Sequence, residues 1–468
     1  MISLTLAELS AAVGGTLRLA AGTHDFDDIA GSVQTDSRLV TAGSIFIALP
    51  GEVSDGHLFA KAAMDNGAAL LVVDHELELP ATQVVVEDTL TALADLARFV
   101  VARVRANGSL KVIGITGSNG KTTTKNMLRA VLETAGATIA PPGSFNNQVG
   151  APLSMLSIEL DTRFLVIEMG ASGIGDIART VGIAVPDISV VLKVGLAHAG
   201  EFGGIEQTQK AKSEIVTSLP ADAVAVLNID DERVAAMASV TKARPVWFGL
   251  DTAADVRGDD LRATASGTAF TVMVGDFHRP VLLRILGEHH VMNALATLAV
   301  ARELGLDLDT AITALESVPR AERWRMEVLT RSDGIVVIND AYNASPDSMS
   351  AALKTLAQVI EPGQRSIAVL GEMTALGEYS DEEHDRIGRL VVRLNIQKLI
   401  VVGHGARHIH NAAGLEGSWD GESILVASAD AAYDLLRDDL RAGDVVLVKS
   451  SKSANLRFLG DRLGEVPE

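Results

Sequence analysis

The stretch VIGITGSNGKTTTKNMLRAVLETAG (112–136) decides how this chain is read. VIGIT (112–116) is a short β-branched run of the kind that forms a buried strand, and KNMLRAVLETAG (125–136) suits a helix. The turn between them holds Gly114, Gly117 and Gly120, then Lys121, Thr122, Thr123 and Thr124. Glycines allow a tight turn whose backbone amides aim at phosphate oxygens, and the helix N-terminus adds a favourable dipole. Lys121 supplies a point charge, and the Thr122 hydroxyl can ligate Mg²⁺. The segment therefore reads as an ATP or GTP site built from Gly117, Ser118, Asn119, Gly120, Lys121, Thr122 and Thr123. Its spacing departs from the general phosphate loop, which puts four residues between the first glycine and Gly-Lys. Here Gly114 comes one residue too early and Gly117 two residues too late.

Outward from the loop, FLVIE (164–168), ISVVLKV (188–194) and AVAVLNI (223–229) are further buried-strand candidates with room for a helix between each pair. GIVVIND (334–340), SIAVLG (366–371), KLIVVG (398–403) and DVVLVK (444–449) repeat the pattern, with HDRIGRLVVRL (384–394) as an intervening helix. Before residue 108 the runs are shorter, and SIFIALPGEVSDGH (44–57) reads as strand then turn. The expectation is an α/β protein of three domains: a small N-terminal α/β domain (1–107), a central parallel-sheet ATPase domain (108–317) and a C-terminal Rossmann-like domain (318–468). A length of 468 residues agrees, at roughly 150 residues per domain.

Lys and Arg number 40 against 60 Asp and Glu, a formal charge of −20. That leaves no basic face for a phosphate backbone, so nucleic acid is not an expected partner. There are no cysteines, which excludes disulfides and thiolate chemistry. No apolar run of about 20 residues crosses a bilayer. The N-terminus MISLTLAELSAAVGG lacks a basic leader, so a cytoplasmic location is expected.

The form T-G-x-N-G-K-T-T, matched by Thr116 to Thr123, resembles the phosphate loop of the Mur ligases. Thr35-Asp36-Ser37-Arg38 with SIFIALPGEVSDGHLF, SFNNQVGAPLS (144–154) and NDAYNASPDSM (339–349) extend the resemblance over almost the whole chain. The Asp-Asn-Pro-Arg motif of the diaminopimelate-adding relatives is absent from the sequence. The resemblance implies a UDP-binding N-terminal domain, a central ATPase domain and a C-terminal domain that closes over the site. It implies peptidoglycan precursor synthesis, with UDP-N-acetylmuramoyl-tripeptide and D-alanyl-D-alanine as substrates, an acyl phosphate between them, and a monomer. Another Mur-type or folylpolyglutamate-type ligase is the runner-up, and a P-loop regulatory ATPase is the reading from another class.

Joining a carboxylate to a triphosphate brings two anions together, so oxygen donors for Mg²⁺ are needed near the loop. Thr122 is one; Glu168 ends the strand FLVIE and His198 follows ISVVLKV, both at strand ends where such sites lie. The resemblance implies a second metal between this Glu and this His. It also implies a carbamate on Lys212, with Lys210 as competitor; a shielded amine of lowered pKa can capture CO₂ and become an anion.

In GEHHVMNALAT (287–297), His289 and Asn293 stand four apart on one helix face and, by the resemblance, read the adenine. The family more often has Asn where this chain has His290. Arg323 is implied to reach the nucleotide phosphates, with Arg320 and Arg325 close enough to confuse the assignment. Asp340 can accept from the ribose hydroxyls, and Tyr342, Asn343 and Ser345 follow in the turn that positions nucleotide and dipeptide. Asn339 replaces the Asp common there. Ser37 and Arg38 are candidates for the UDP diphosphate, and Asn146 and Asn147 for the sugar or peptide.

Overall fold

VIGIT becomes the strand Lys111–Thr116, and the helix that follows runs from Lys121 to Glu133. Ile113 and Ile115 face one apolar cluster and Val112 the opposite one, the period-2 alternation of a strand buried on both sides. Met127, Leu128, Val131 and Leu132 put one helix face into the same cluster as Ile113. This computed structural model describes all residues except 52–53, 142, 144, 197–199, 201–202, 265–266, 319–322, 418 and 467–468.

Among the described residues the central sheet has nine strands. Lys111–Thr116 lies between Ile188–Val191 and Phe164–Glu168, parallel to both, so its C-terminal end is a switch point of strand order. Val224–Asn228 and Arg244–Gly249 extend the parallel part beyond Ile188–Val191. The strands Val256–Thr264, Gly267–Val274 and Phe277–Leu283 then form an antiparallel extension that the search for continuous apolar runs overlooks. Their signal is alternation, as in Phe277–Leu283, where exposed and less exposed residues alternate.

Near the N-terminus a five-stranded sheet has four parallel strands, Val33–Gln34, Ile45–Ile47, Leu70–Val73 and Gln83–Val85, with Thr16–Arg18 antiparallel at its edge. The helix Thr89–Ala106, capped by the Asp88 carboxylate accepting from the Thr91 amide at 2.8 Å, buries Leu93, Leu96, Val100 and Val104. Arg105 near its end donates to Asp187 at 2.7 Å, tying this helix to the central unit.

Among the described residues the C-terminal sheet has six strands. Asp444–Lys449 sits between Val336–Asn339 and Arg365–Leu370, parallel to both, and Glu327–Thr330 is the antiparallel edge. Asn339 and Lys449 thus end neighbouring strands on one side of the sheet. The fold is α/β, built on these three main sheets.

Candidate active site

The loop ahead of Lys121 is held from several sides. The Ser118 amide donates to the Lys193 carbonyl at 2.8 Å, and the Ser118 hydroxyl accepts from the Gly195 amide at 2.8 Å. Gly120 has φ +87°, a left-handed conformation that favours glycine, and a Cβ there would stand 2.5 Å from Asn293 Oδ1. Lys121 Nζ donates back to the Gly117 carbonyl at 2.6 Å, closing the loop on itself. Desolvation and the Arg325 charge lower the Lys121 pKa, and Glu168 opposes that shift.

A cleft of about 200 Å³ joins this loop to the C-terminal unit. Residues 118–123, Asn146, His289, His290 and Asn293 line it on one side, and Arg325, Asp340, Tyr342, Asn343 and Lys449 on the other. Ser345 reaches across as well: its hydroxyl donates to Asn119 Oδ1 at 3.1 Å while it caps the helix Pro346–Val359. Lys193 meets Asp347 at 3.0 Å beside it.

The neighbouring arginines take different places. Arg323 donates to Asp461 at 3.0 Å and stacks on Trp324, outside the cleft lining. Two residues on, Arg325 donates from Nη2 to the Thr122 hydroxyl at 3.3 Å and lies 4.0 Å over the Tyr342 ring. Residues two apart on an extended segment share a face, but here Trp324 and Met326 have φ of +64° and +53°, so simple alternation does not apply. Arg320 lies outside the described residues.

Thr122 and Glu168 come together: the hydroxyl donates to Glu168 Oε2 at 3.2 Å. Hydroxyl and carboxylate oxygens at the end of a phosphate loop form a donor set that suits Mg²⁺. The other carboxylate oxygen is 3.2 Å from Lys125 Nζ, a partner the sequence analysis missed although Lys125 follows Lys121 by one helical turn. His198 lies outside the described residues.

Lys212 is 4% exposed, and burial together with the nearby Lys121 charge lowers its pKa to about 7. Lys210 has an exposed position on the same helix. Lys212 lines a second cavity of about 390 Å³ that shares Ser118, Lys121 and Asn146 with the cleft and adds Asn147, Gln148, Asp176 and Arg179. The Asn147 side-chain oxygen accepts from the Val149 and Gly150 amides, shaping the turn at that wall.

His289 and Asn293 both line the cleft and a third cavity, of about 690 Å³, that also holds Leu192, Asn228, Leu250 and Met292. Burial lowers the His289 pKa to about 4 and holds that of His290 well below the usual imidazole value, so both rings are neutral at pH 7. His290 Nδ1 is 3.3 Å from Asn293 Nδ2, which orients the amide. Asp340 is more engaged than expected: Oδ1 accepts from the Met326 amide at 3.0 Å, and Oδ2 accepts from Lys449 at 2.5 Å. Lys449, 2% exposed, also donates to the Asn343 carbonyl at 3.0 Å. Asn339 faces away from the cleft, donating to Asp461 Oδ1 at 3.0 Å.

Ser37 and Arg38 lie apart from these cavities, on a short 3₁₀ turn of the N-terminal unit. Arg38 forms a fork with Asp36, with its closest contact at 2.6 Å, and its side chain is 86% exposed.

Comparison with known proteins gives the family. Residues 31–100 match the model of the Mur ligase family catalytic domain, 115–301 the Mur ligase middle domain, and 324–452 the Mur ligase glutamate ligase domain. A UDP-N-acetylmuramoyl-tripeptide–D-alanyl-D-alanine ligase of Mycobacterium bovis is 43% identical, over 99% of this chain and 98% of that protein. A crystal structure of MurF from Acinetobacter baumannii superposes with a TM-score of 0.89 at 29% identity, covering 99% of both chains. MurF ligase from Thermotoga maritima, solved in complex with ADP, gives 0.81 at 29% identity, covering 93% of this chain and 98% of that one. With full-length relatives at this identity and the three domain models in order along the sequence, the chain belongs to the Mur ligase family.

Proposed function

We propose that this chain is an ATP-dependent ligase that joins the terminal carboxylate of UDP-N-acetylmuramoyl-tripeptide to the amine of D-alanyl-D-alanine, in peptidoglycan precursor synthesis. The observation that carries the reading is the contiguity of two cavities. Lys121, Thr122 and Arg325 meet in one, which shares Ser118, Lys121 and Asn146 with the wall of the other, where Lys212 lies. A triphosphate in the first would present its γ-phosphorus to a carboxylate in the second.

The carboxylate oxygen attacks that phosphorus, forming the C–O–P link of an acyl phosphate as the bond to the β-phosphate oxygen breaks and ADP leaves. Lys121 and Arg325 stabilise the charge spread over the phosphoryl oxygens. The unprotonated dipeptide amine then attacks the acyl carbon, its nitrogen gives up one proton to solvent, and collapse of the tetrahedral intermediate expels inorganic phosphate and leaves the amide. His289 and Asn293 suit an uncharged heteroaromatic base, being neutral donors and acceptors beside Leu192 and Met292.

Thr122 and Glu168 would hold Mg²⁺, and a carbamate on Lys212 would add oxygen donors; bound there, the metal supplies charge neutralisation between the two anions. Ser37 and Arg38 are proposed for the UDP diphosphate, and Asn146 and Asn147 for the sugar or peptide. Among the described residues no helix is long and apolar enough to cross a membrane. We take the reaction to occur in the cytoplasm on a monomer, for which light scattering at one chain mass is the check.

The test is a coupled assay of ADP formation. It should require both the tripeptide nucleotide and D-alanyl-D-alanine, and Lys121→Ala should abolish it with the fold intact. ADP release at full rate without either acceptor would instead mark a regulatory ATPase.

A further inference from the structure

Lys125 is buried to 1% exposure, as is the side chain of Glu168, and its Nζ lies 3.2 Å from Glu168 Oε1. The same ammonium donates to the Gly143 carbonyl at 2.5 Å. The second oxygen of Glu168 accepts from Thr122. Burying an ammonium and a carboxylate together carries a large desolvation penalty, and a neutral apolar pair in the same space is often as stable. A charge pair kept beside a phosphate loop therefore calls for a reason other than stability.

The pair's geometry supplies one. An ammonium in contact with a carboxylate holds that group in place and opposes the field that would draw a divalent cation from solution. A triphosphate brings its own negative charge, which outweighs one lysine. Gly143 lies three residues before Asn146, which lines both the cleft and the acceptor cavity. One side chain thus joins the carboxylate to the segment facing the acceptor.

We propose that Lys125 is a positioning residue that keeps Glu168 neutralised and aimed at Thr122 until a metal arrives with the nucleotide, and that couples Glu168 through Gly143 to the acceptor wall. The proposal rests on the ATP-dependent ligase reading above. Nucleotide-free protein accordingly binds divalent metal weakly, and metal enters with ATP.

The probe is Mn²⁺, followed by electron paramagnetic resonance on the full chain with and without a non-hydrolysable ATP analogue. Lys125→Met removes both contacts, whereas Lys125→Gln removes the charge and keeps an uncharged donor for Gly143. Without nucleotide, both variants should bind Mn²⁺ about tenfold more tightly than the parent chain, and Glu168→Gln should erase the gain. The KM for the tripeptide nucleotide should rise in Lys125→Met and stay near normal in Lys125→Gln. Unchanged Mn²⁺ affinity in both variants, or a gain that survives Glu168→Gln, overturns the proposal. So does loss of the fold in both variants by circular dichroism, which would make the lysine a purely structural group. Failure of the ligase reading is seen separately, as a folded parent chain that binds Mn²⁺ yet forms no ADP with both acceptors present.

Discussion

Arg325 crosses from the C-terminal unit to donate to the hydroxyl of Thr122, 203 positions earlier in the chain. Its guanidinium carbon lies 4.0 Å over the Tyr342 ring, a second contact that holds the group in place. A planar cation fixed at the mouth of a phosphate loop stabilises charge that grows during phosphoryl transfer.

Arg325→Ala should therefore lower kcat/KM for ATP by about 10²- to 10³-fold, the loss typical of one preorganised donor to a developing anion. Arg323→Ala should leave turnover near normal. It removes a half-exposed ion pair to Asp461 and a stack on Trp324, together about 1 kcal/mol of stability. Steady-state kinetics with thermal melts of both variants separates the two arginines; equal kinetic losses would place Arg323 at the site as well.

What the sequence disclosed of this site follows from how local each signal is. The phosphate loop, its strand and its helix are contiguous, so Gly120, Lys121 and Thr122 were legible as a unit. Glu168 was legible because strand ends collect ligands. Lys125 and Lys449 were not: a lysine in a helix or at a strand end looks solvated until another part of the fold covers it. Arg325 was legible only as one of three neighbouring arginines, because two positive-φ residues set its direction, and side-chain type does not encode that. The antiparallel extension from Val256 to Leu283 escaped because its half-exposed strands alternate, unlike the continuous runs of the parallel core.

Gly120 offers a test of the loop independent of any charge. An alanine there must adopt φ +87° and place a methyl carbon 2.5 Å from Asn293 Oδ1 and 3.2 Å from a Leu192 methyl. Strain of about 1–2 kcal/mol is small beside the stability of a protein this size, so Gly120→Ala should fold. Displacing Asn293 while twisting the amides ahead of Lys121 should abolish ATP binding by calorimetry. Retention of normal affinity would show that the loop's conformation is not what binds the phosphates.

Lys212 ties stability to pH with a definite sign. Its amine titrates near 10.5 when unperturbed and near 7 in the fold. Between those values the unfolded chain holds a proton that the folded chain does not, so this group makes stability rise with pH across that window. The neutral amine needed to capture CO₂ grows in the same direction. Protein equilibrated with ¹³C-bicarbonate above pH 7 should show a carbamate carbon by NMR. That signal should disappear in Lys212→Arg, persist in Lys210→Arg, and weaken as pH falls below about 7. Lys212→Ala should be inactive and partly rescued by a small added carboxylate.

Asn339 gives the last prediction, and its argument runs through Asp461. The Asn339 amide donates to Asp461 Oδ1 at 3.0 Å and to the Arg457 carbonyl at 2.9 Å, and the asparagine is fully buried. Asp461 also accepts from Trp324 Nε1 and from Arg323, so its two oxygens are held by donors on several sides. Changing Asn339→Asp would exchange a donor for a second carboxylate at contact distance. Two such groups cannot both ionise cheaply when buried, and one keeps a proton with a raised pKa. A raised carboxyl pKa means that the folded state binds more protons than the unfolded one, so the penalty grows as pH rises through the shifted value. Asn339→Asp should therefore melt well below the parent chain at pH 8 and recover much of the difference near pH 5. Because Asn339 points away from the cleft, ATP affinity should be unaffected wherever the variant is folded. A destabilisation that is flat between those pH values would mean the two carboxylates do not face each other.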